Sequence, residues 1–117
     1  MIGIPTYGYE YRVIPLTSGY RYQRITAFNQ RYATDIVEKI GIEPLRNAAG
    51  ELSFVYTTPE HSISGAGSSF NIFWWSDSKA IEQKLRLAKR LGVRGVSIFK
   101  IDGGADPLVW PILGRYK

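Results

Sequence analysis

The amino-acid sequence predicts an α+β fold, in which an antiparallel sheet is packed by one helix and a strand–helix–strand unit brings the two ends of the chain together. Three observations predict it. Residues 2–14 alternate aromatic or apolar side chains with glycine and charge, at the period of two that is typical of a strand. Apolar residues within 26–40 and 78–91 recur at helical spacing. The segment 47–50, "NAAG", separates two short extended stretches as a hairpin turn would.

The first half of the chain is predicted to contain two strands and a helix. A turn within residues 15–19 ends the first strand, and Tyr20 and Tyr22 indicate a short second strand. Thr26 is predicted to cap the first helix, since its hydroxyl can accept a hydrogen bond from a free amide of the first turn. Gly41 is predicted to end that helix, because glycine readily adopts the left-handed conformation that follows a helix.

The second half is predicted to continue the sheet and then to form a strand–helix–strand unit. The predicted elements are a hairpin of 42–46 with 51–57, a Gly/Ser-rich loop at 59–69, a strand at 70–75, a helix capped by Asp77 or Ser78, and a strand at 94–102. A loop, "DGGADP", then leads to the apolar segment "LVWPIL". Strand, helix, strand and loop occur in this order in the closing unit of a β/α barrel.

Length and composition limit the kinds of site to expect. The chain has 117 residues, enough to bury a core but far fewer than the roughly 250 of a complete (β/α)8 barrel. It has no cysteine, and its single histidine, His61, cannot build a histidine-rich metal centre. No apolar run approaches the roughly 20 residues needed to cross a bilayer, and the first residues lack the pattern of a secretory signal. We therefore expect no cofactor, no bound metal and no membrane partner.

A formal net charge of +5 would attract an anionic partner such as nucleic acid or another phosphate-bearing surface. Much of that charge lies in and just after the second predicted helix, at Lys79, Lys84, Arg86, Lys89, Arg90 and Arg94. Such a distribution is typical of an ordinary solvated helix face, with an anion-binding surface as the alternative. Charge alone is a weak argument for nucleic acid, so a nucleic-acid partner is not expected.

Two groups of residues carry a resemblance to a known family. The opening segment "IGIPTYGYEY" presents Gly3, Pro5, Tyr7, Gly8 and Tyr11 in the pattern Gly-x-Pro-x-Tyr-Gly followed by an aromatic residue. Near the other end, "WWSDSKAIEQKLRLAKRLGVRGVSIFKIDGGAD" presents Asp77, Lys84, Gly95 and Asp102. With the order of elements between them, these segments resemble the C-terminal part of glycoside hydrolase family 18, the chitinase-like enzymes. The similarity is greatest to the bacterial spore-cortex and cell-wall N-acetylglucosaminidases of that family.

The resemblance implies a domain organisation. The chain would be a single α+β domain and the C-terminal fragment of a family 18-like catalytic domain, beginning at its seventh barrel strand. Its first and last strands would then run parallel and side by side, as the seventh and eighth barrel strands do. Residues 1–14 and 76–117 would be barrel-derived, and residues 15–75 would form the small insertion domain that this family carries after that strand.

The resemblance also implies a substrate and its contacts. The partner would be a polysaccharide or oligosaccharide that contains N-acetylglucosamine, as in chitin or peptidoglycan. The substrate-binding residues would be Tyr7, Tyr11, Trp74, Phe99 and Asp102. Phe99 stands where the family usually has a tryptophan, and Gly104 stands where a second aspartate is common. An aromatic plane is kept at Phe99, but the indole N–H is lost.

The catalytic part of the family pattern is missing from these 117 residues. The chain contains no Asp-x-x-Asp-x-Asp-x-Glu run, whose glutamate protonates the glycosidic oxygen in the family, and no Met-x-Tyr-Asp pattern. We therefore predict no catalytic residue and no activity for this chain alone. Two functions remain open: part of a glycan hydrolase, or a non-catalytic carbohydrate-binding or structural module.

Two further expectations concern the aromatic residues and the assembly. Alternating aromatic side chains on strands commonly build a core, so packing is the competing role for the proposed sugar-binding rings. Barrel-derived strands that lack their neighbours expose unpaired edges and apolar faces. We therefore expect a homo-oligomer whose interface buries Ile98, Val109 and Trp110.

Overall fold

The computed structural model describes residues 1–57 and 69–116. Their elements, in chain order, are β1 (Ile2–Pro5), β2 (Tyr7–Leu16), β3 (Gly19–Asn29), α1 (Gln30–Ile40), β4 (Leu45–Arg46), β5 (Leu52–Tyr56), β6 (Phe70–Trp75), α2 (Ser78–Arg90), β7 (Val96–Phe99) and α3 (Val109–Arg115). The predicted loop at 59–69, with His61, lies outside the described residues except for Ser69.

The strands form two sheets, which confirms the α+β class. Five strands make an antiparallel sheet in the order β3–β2–β6–β5–β4. The predicted hairpin is present as β4 and β5, and the predicted strand at 70–75 is β6. The second predicted strand is longer than expected, because β3 pairs with β2 along its whole length, with a register shift between Glu10 and Tyr11.

The second sheet consists of β1 and β7, which run parallel and side by side. Ile4 lies opposite Ile98, and the Ile2 amide donates a hydrogen bond to the Gly95 carbonyl at 3.1 Å. The prediction that the first and last strands are parallel neighbours is therefore confirmed. Two strands do not close a barrel, and no barrel is present in the described ranges 1–57 and 69–116.

Each sheet has its own hydrophobic core. Against the β1–β7 pair, α2 and α3 bury a cluster of aliphatic residues: Ile4, Ile81, Leu85, Val109 and Ile112. Against the antiparallel sheet, α1 buries Ala33 with an aromatic cluster that includes Phe28, Phe54, Phe73 and Trp75. The rings of Phe54 and Phe73 are stacked at 4.7 Å between centroids. Trp75 is therefore a core residue, while its neighbour Trp74 points to the other face of the sheet.

The cap of the first helix lies three residues later than predicted. Thr26 still belongs to β3, and the Asn29 side chain caps α1 by accepting a hydrogen bond from the Tyr32 amide at 2.9 Å. The prediction of Thr26 is wrong because strand pairing with β2 continues to Asn29. Gly41 ends the helix in the left-handed conformation, with φ of 71°, as predicted.

The apolar segment "LVWPIL" is covered in part by the chain itself. It forms the start of α3, and Val109 and Ile112 are buried against Ile81 and Leu85 within the same chain. The expectation that an interface buries Val109 is therefore wrong, because its side chain is already 0% exposed. Ile98 also packs against this core, whereas Trp110 is 46% exposed.

The chain passes from the parallel sheet to the antiparallel sheet at Thr6, and it leaves the antiparallel sheet after Trp75. The antiparallel sheet begins at Tyr7, so the predicted boundary between residues 14 and 15 falls inside β2. Polar contacts join the two units where the chain returns. Arg46 of the hairpin forms two hydrogen bonds with Asp77, at 2.8 and 2.7 Å, and Asp77 caps α2.

No helix within 1–57 or 69–116 is long and apolar enough to span a membrane.

Candidate functional site

One face of the antiparallel sheet carries a row of aromatic rings. Tyr7, Tyr9 and Tyr11 alternate along β2 with Gly8 and Glu10, so the three tyrosines share the face that α1 does not cover. The ring centroids of Tyr7 and Tyr9 are 5.5 Å apart, and those of Tyr9 and Tyr11 are 6.0 Å apart. The Tyr7–Tyr9 pair is edge-to-face and the Tyr9–Tyr11 pair is tilted, and both separations lie in the range of favourable aromatic contacts.

The row continues on both sides of β2. Tyr11 lies 6.0 Å from Trp74 of β6, and Trp74 stacks on Tyr22 of β3 at 6.3 Å. At the opposite end, Tyr7 meets Phe99 at the end of β7, 6.0 Å away. We call this set the aromatic strip: Phe99, Tyr7, Tyr9, Tyr11, Trp74 and Tyr22. Phe99 is 65% exposed and Tyr22 is 54% exposed, so the strip is a surface and not part of a core.

A cavity of about 640 Å³ opens at the Phe99 end of the strip. It lies where the carboxyl ends of β1 and β7 meet the edge of the antiparallel sheet. The lining residues are Tyr7, Tyr9, Thr26, Ala27, Phe28, Asn29, Tyr32, Phe99, Lys100 and Asp102. This volume lies in the range of small-molecule sites, and the lining combines aromatic planes with a few polar groups.

Buried polar contacts fix the walls of the cavity. Thr6 is 3% exposed, and its hydroxyl donates to the Lys100 carbonyl at 2.7 Å and accepts from the Lys100 amide at 2.9 Å. The Thr6 amide also donates to the Phe99 carbonyl at 2.8 Å. The strand ends that carry Tyr7 and Phe99 are thereby held together. On the other wall, the Gly104 carbonyl accepts from the Arg31 amide at 3.0 Å, which anchors the loop after β7 to α1.

Asp102 is the carboxylate of the cavity. Its side chain accepts a hydrogen bond from the Gly104 amide at 3.0 Å and forms an ion pair with Lys100 at 3.1 Å. The Gly104 amide and Lys100 both lower the pKa of Asp102. A carboxylate with a lowered pKa is ionised at neutral pH, so Asp102 can accept hydrogen bonds from hydroxyl or amide groups but is poorly suited to protonate a leaving group.

Two other groups shape the polarity of the strip. A hydrogen bond with Tyr9 raises the pKa of Tyr7, and therefore the Tyr7 phenol stays protonated over the physiological range. The Arg24 guanidinium lies 5.8 Å from the centroid of the Tyr9 ring, in a cation–π arrangement. The tyrosines thus offer hydroxyl groups at the rim of an otherwise apolar surface.

Two glutamates near the antiparallel sheet, Glu10 and Glu51, make structural contacts. Glu10 is 7% exposed and accepts hydrogen bonds from the Tyr56 hydroxyl at 2.8 Å and the Asn71 amide at 2.6 Å. Glu51 forms an ion pair with Lys84 at 2.9 Å. Neither lines the cavity. Across 1–57 and 69–116, no three His, Asp or Glu side chains are grouped as a metal site would require.

The structure brings the five predicted substrate-binding residues to one surface. Tyr7, Phe99 and Asp102 line the cavity, while Tyr11 and Trp74 lie further along the strip. The prediction, which followed the family resemblance, omitted Tyr9, although Tyr9 alternates with Tyr7 and Tyr11 on the same face of β2. It also omitted Asn29 and Lys100, which reach the cavity only through long-range folding and leave no local sequence signal.

No protein-family model matches the chain, and no curated protein matches it in sequence. Solved structures do resemble it. The spore cortex-lytic enzyme SleL of Bacillus cereus superposes with a TM-score of 0.76 at 22% identity, over 99% of this chain and 24% of that one. A chitinase from Chromobacterium violaceum superposes with a TM-score of 0.67 at 19% identity, over 97% and 31%.

A third similar structure is a chitinase-like agglutinin from Robinia pseudoacacia, with a TM-score of 0.61 at 18% identity, over 97% of this chain and 31% of that one. The chain therefore has a fold found in chitinase-like proteins. It spans about a quarter to a third of the length of these structures. At such identities the likeness defines the fold alone.

Proposed function

We propose that the chain forms one wall of a glycan-binding cleft and binds polysaccharide that contains N-acetylglucosamine. In this proposal it is the C-terminal portion of a family 18-like glycoside hydrolase that acts on chitin or peptidoglycan. The observation that carries the proposal is the continuity of the aromatic strip with the cavity that holds Asp102. The similar fold of the spore cortex-lytic enzyme and the chitinase supports it.

The chemistry of the strip suits a sugar chain. The C–H faces of a pyranose ring are apolar and pack flat against aromatic rings, while the hydroxyl groups at the ring edge need polar partners. In our proposal Tyr7 and Phe99 bind one sugar at the cavity. Tyr11 and Trp74 bind the next part of the polysaccharide. Asp102 accepts hydrogen bonds from that first sugar.

The proposed role in a hydrolase is binding and not proton transfer. Cleavage of a glycosidic bond needs a carboxylic acid that protonates the leaving oxygen, and such groups have raised pKa values. Asp102 has a lowered pKa instead. We therefore place the catalytic acid outside this chain, in the remainder of a larger barrel.

The proposed domain division follows from the same argument. Residues 1–5 and 77–116, with β1, β7, α2 and α3, would be the barrel-derived part. The antiparallel sheet, β2–β6 with α1, would be the insertion that deepens the cleft. This moves the first boundary from residue 14 to Thr6, where one sheet ends and the other begins.

A second function is a carbohydrate-binding module without catalysis. The structural likeness to a chitinase-like agglutinin favours it. Both functions require glycan binding by the strip. They differ in whether a polypeptide that supplies the catalytic acid restores hydrolysis when it is combined with this chain.

The test is binding of chitin oligomers of increasing length by calorimetry, with two tryptophan variants. Trp74→Ala removes an aromatic plane from the strip, whereas Trp110→Ala removes an exposed tryptophan from α3. We expect Trp74→Ala to weaken binding roughly tenfold, as loss of one stacked ring commonly does, and Trp110→Ala to leave it unchanged. Equal binding by both variants, or no binding by the native chain, would contradict the proposal.

A further inference from the structure

A second concavity lies far from the aromatic strip, between the C-terminal half of α2 and the end of α3. It encloses about 450 Å³ and is lined by Arg86, Lys89, Arg90, Arg115 and Tyr116. Four of these five residues are cationic. We call this concavity the basic groove.

Two arginines of the basic groove, Arg86 and Arg115, form hydrogen bonds with neighbouring side chains. One oxygen of Glu82 accepts hydrogen bonds from both Arg86 and Arg115, each at 3.1 Å. Arg86 also donates from its Nε to the Tyr116 hydroxyl at 3.3 Å. Two guanidinium groups thus converge on one anionic oxygen. Since a guanidinium has five N–H donors, each arginine keeps donors for a second anion.

Glu82 does not neutralise the surface. A hydrogen bond from Arg86 lowers its pKa, so the carboxylate remains charged, and it is the only acidic residue in α2 or α3. An adjoining concavity of about 340 Å³ shares Lys89, Arg115 and Tyr116 with the basic groove and adds Arg94. The two concavities adjoin, and together they present five cations against one carboxylate.

We propose that the basic groove binds a linear polymer that carries repeating phosphate groups. Guanidinium groups match the geometry of phosphate oxygens through paired hydrogen bonds, and two of them are already oriented by Glu82. Lys89 and Arg90 provide further charges along the same surface. Five cations that line two adjoining concavities are more than one phosphate can occupy, so a polymer with several phosphates uses more of this surface, and each contact releases counterions.

Two other phosphate-bearing partners fit the basic groove less well. Single-stranded nucleic acid is usually held by bases stacked on free aromatic faces. Tyr116 is the only aromatic residue of the groove, and its ring packs against the Ile4–Ile112 core. A lipid surface is usually held by exposed apolar side chains that enter the bilayer. The described lining of the basic groove has no aliphatic residue, and those of the adjoining concavity, Leu85, Ala88, Val93 and Val96, are buried or half-buried.

The inference is independent of the proposed glycan binding, because the two surfaces lie at opposite ends of β7. Arg94, Gly95 and Val96 at its amino end belong to the adjoining concavity, while Phe99 at its carboxyl end belongs to the aromatic strip. A variant of the basic groove should therefore bind chitin oligomers as the native chain does.

The test uses the full chain and long-chain inorganic polyphosphate, with binding followed by calorimetry at several salt concentrations. The variant is Lys89→Glu with Arg90→Glu, two groove residues that take no part in the Glu82 contacts. The matched control is Lys39→Glu with Arg21→Glu, which makes the same charge change at exposed positions outside the groove. We expect the groove variant to bind at least about tenfold more weakly and the control to bind like the native chain.

Competition distinguishes the partners. We expect orthophosphate at the same phosphate concentration to displace little polyphosphate, because one phosphate engages only part of the surface. If orthophosphate displaces bound polyphosphate as effectively as added polyphosphate does, the polymer proposal is overturned in favour of a single-phosphate site. Tighter binding of single-stranded DNA with the same number of phosphates, or of vesicles of phosphatidylglycerol and phosphatidylcholine, would overturn it in favour of those partners. Equal losses in the groove variant and the control would overturn the site itself.

Discussion

The side-chain oxygen of Gln30 accepts a hydrogen bond from the backbone amide of Asp106 at 2.6 Å. Gln30 is 1% exposed and also donates from its amide nitrogen to the Ser76 carbonyl. Asp106 in turn accepts from the Ser78 amide at 3.1 Å, at the start of α2. One buried side chain at the start of α1 therefore joins the antiparallel sheet to the loop that carries Asp102 and to the second helix.

Replacement of Gln30 should destabilise the chain through the groups it leaves unpaired. In Gln30→Ala, the Asp106 amide and the Ser76 carbonyl lose their partners, and an unsatisfied buried polar group costs about 1–3 kcal/mol. We expect a loss of that size in the free energy of unfolding, measured with urea. Gln23→Ala, at an exposed position of β3, is the control and should change stability by less than about 0.5 kcal/mol. Equal effects would show that the bridge contributes nothing.

The close packing of β2 against β6 at Gly8 gives the second prediction. A Cβ atom on Gly8 would overlap the Trp74 carbonyl oxygen and approach the side chains of Trp75 and Phe28. Gly8→Ala should therefore separate the strands and destabilise the fold by about 1–3 kcal/mol. Gly3→Ala is the matched control, because nothing lies within 4 Å of a Cβ built there. Thermal unfolding of both variants tests the prediction, and an unaltered Gly8→Ala would contradict it.

Local signals were sufficient where side-chain pattern and capping chemistry agree. The helix α2 is capped by Asp77, one of the two predicted cap residues. Helical spacing predicts a buried stripe of Ile81, Leu85, Ala88 and Leu91, and the first three are buried, whereas Leu91 follows the last helical residue and is 61% exposed. The strand β6 has the predicted bounds. These elements combine a strong period with clear flanking residues, so tertiary contacts did not have to override the local preference.

Prediction failed where long-range pairing decides the structure. The helix cap is Asn29 and not the predicted Thr26, because β3 continues to pair with β2 beyond a register shift. The period-two pattern of β3 alone does not reveal that register shift. A short apolar segment such as "LVWPIL" is ambiguous between helix and strand. In the site, Tyr7 and Tyr11 were predicted through the family resemblance, whereas Lys100 entered through its backbone contacts with Thr6, 94 residues away in sequence.

The ion pair between Arg46 and Asp77 predicts how stability depends on pH. Burial alone would raise the pKa of Asp77, but hydrogen bonds from Arg46 and the Ala80 amide outweigh it and lower the pKa below its ordinary value. A carboxylate with a lowered folded-state pKa stabilises the fold above its unfolded pKa of about 3.9, and this contribution is lost as the pH falls through the folded value.

Arg46→Met should remove most of that contribution. We expect the variant to be less stable than the native chain at neutral pH by about 1–3 kcal/mol, and the difference to shrink below about pH 4 as Asp77 becomes protonated. Urea unfolding from pH 3 to pH 7 measures both curves. Lys39→Met, which removes an exposed cation from α1, is the control. A difference between Arg46→Met and the native chain that is constant with pH would contradict the assignment to Asp77.

We expect the purified chain alone not to hydrolyse chitin oligomers or peptidoglycan fragments. Asp102, the carboxylate of the cavity, has a lowered pKa and cannot readily donate a proton at neutral pH. The measurement is release of reducing ends over long incubation at several pH values. Turnover by the native chain that disappears in Asp102→Asn would overturn the prediction, and the same variant excludes a contaminating enzyme as its source.

The last prediction concerns association through the parallel sheet. β1 and β7 pair only with each other among the described strands, so each has an outer edge that lacks a neighbour in this sheet. Gly3, Ser97 and Phe99 are exposed on these strands, whereas Ile98 packs on the helices. Parallel sheets are normally covered on both faces and rarely consist of two strands. We propose that these edges pair between two copies of the chain, with Trp110 shielded at the contact.

Light scattering and quenching of tryptophan fluorescence by acrylamide test this proposal together. We expect a dimer at tens of micromolar, on the order of ordinary assay concentrations, that dissociates on dilution because two short strand edges offer few hydrogen bonds. Trp110→Phe identifies the share of quenching that belongs to α3. A monomer at every concentration, with Trp110 as accessible to acrylamide as its 46% exposure in the single chain implies, would reject association between copies. The strand edges would then be expected to pair with a different polypeptide.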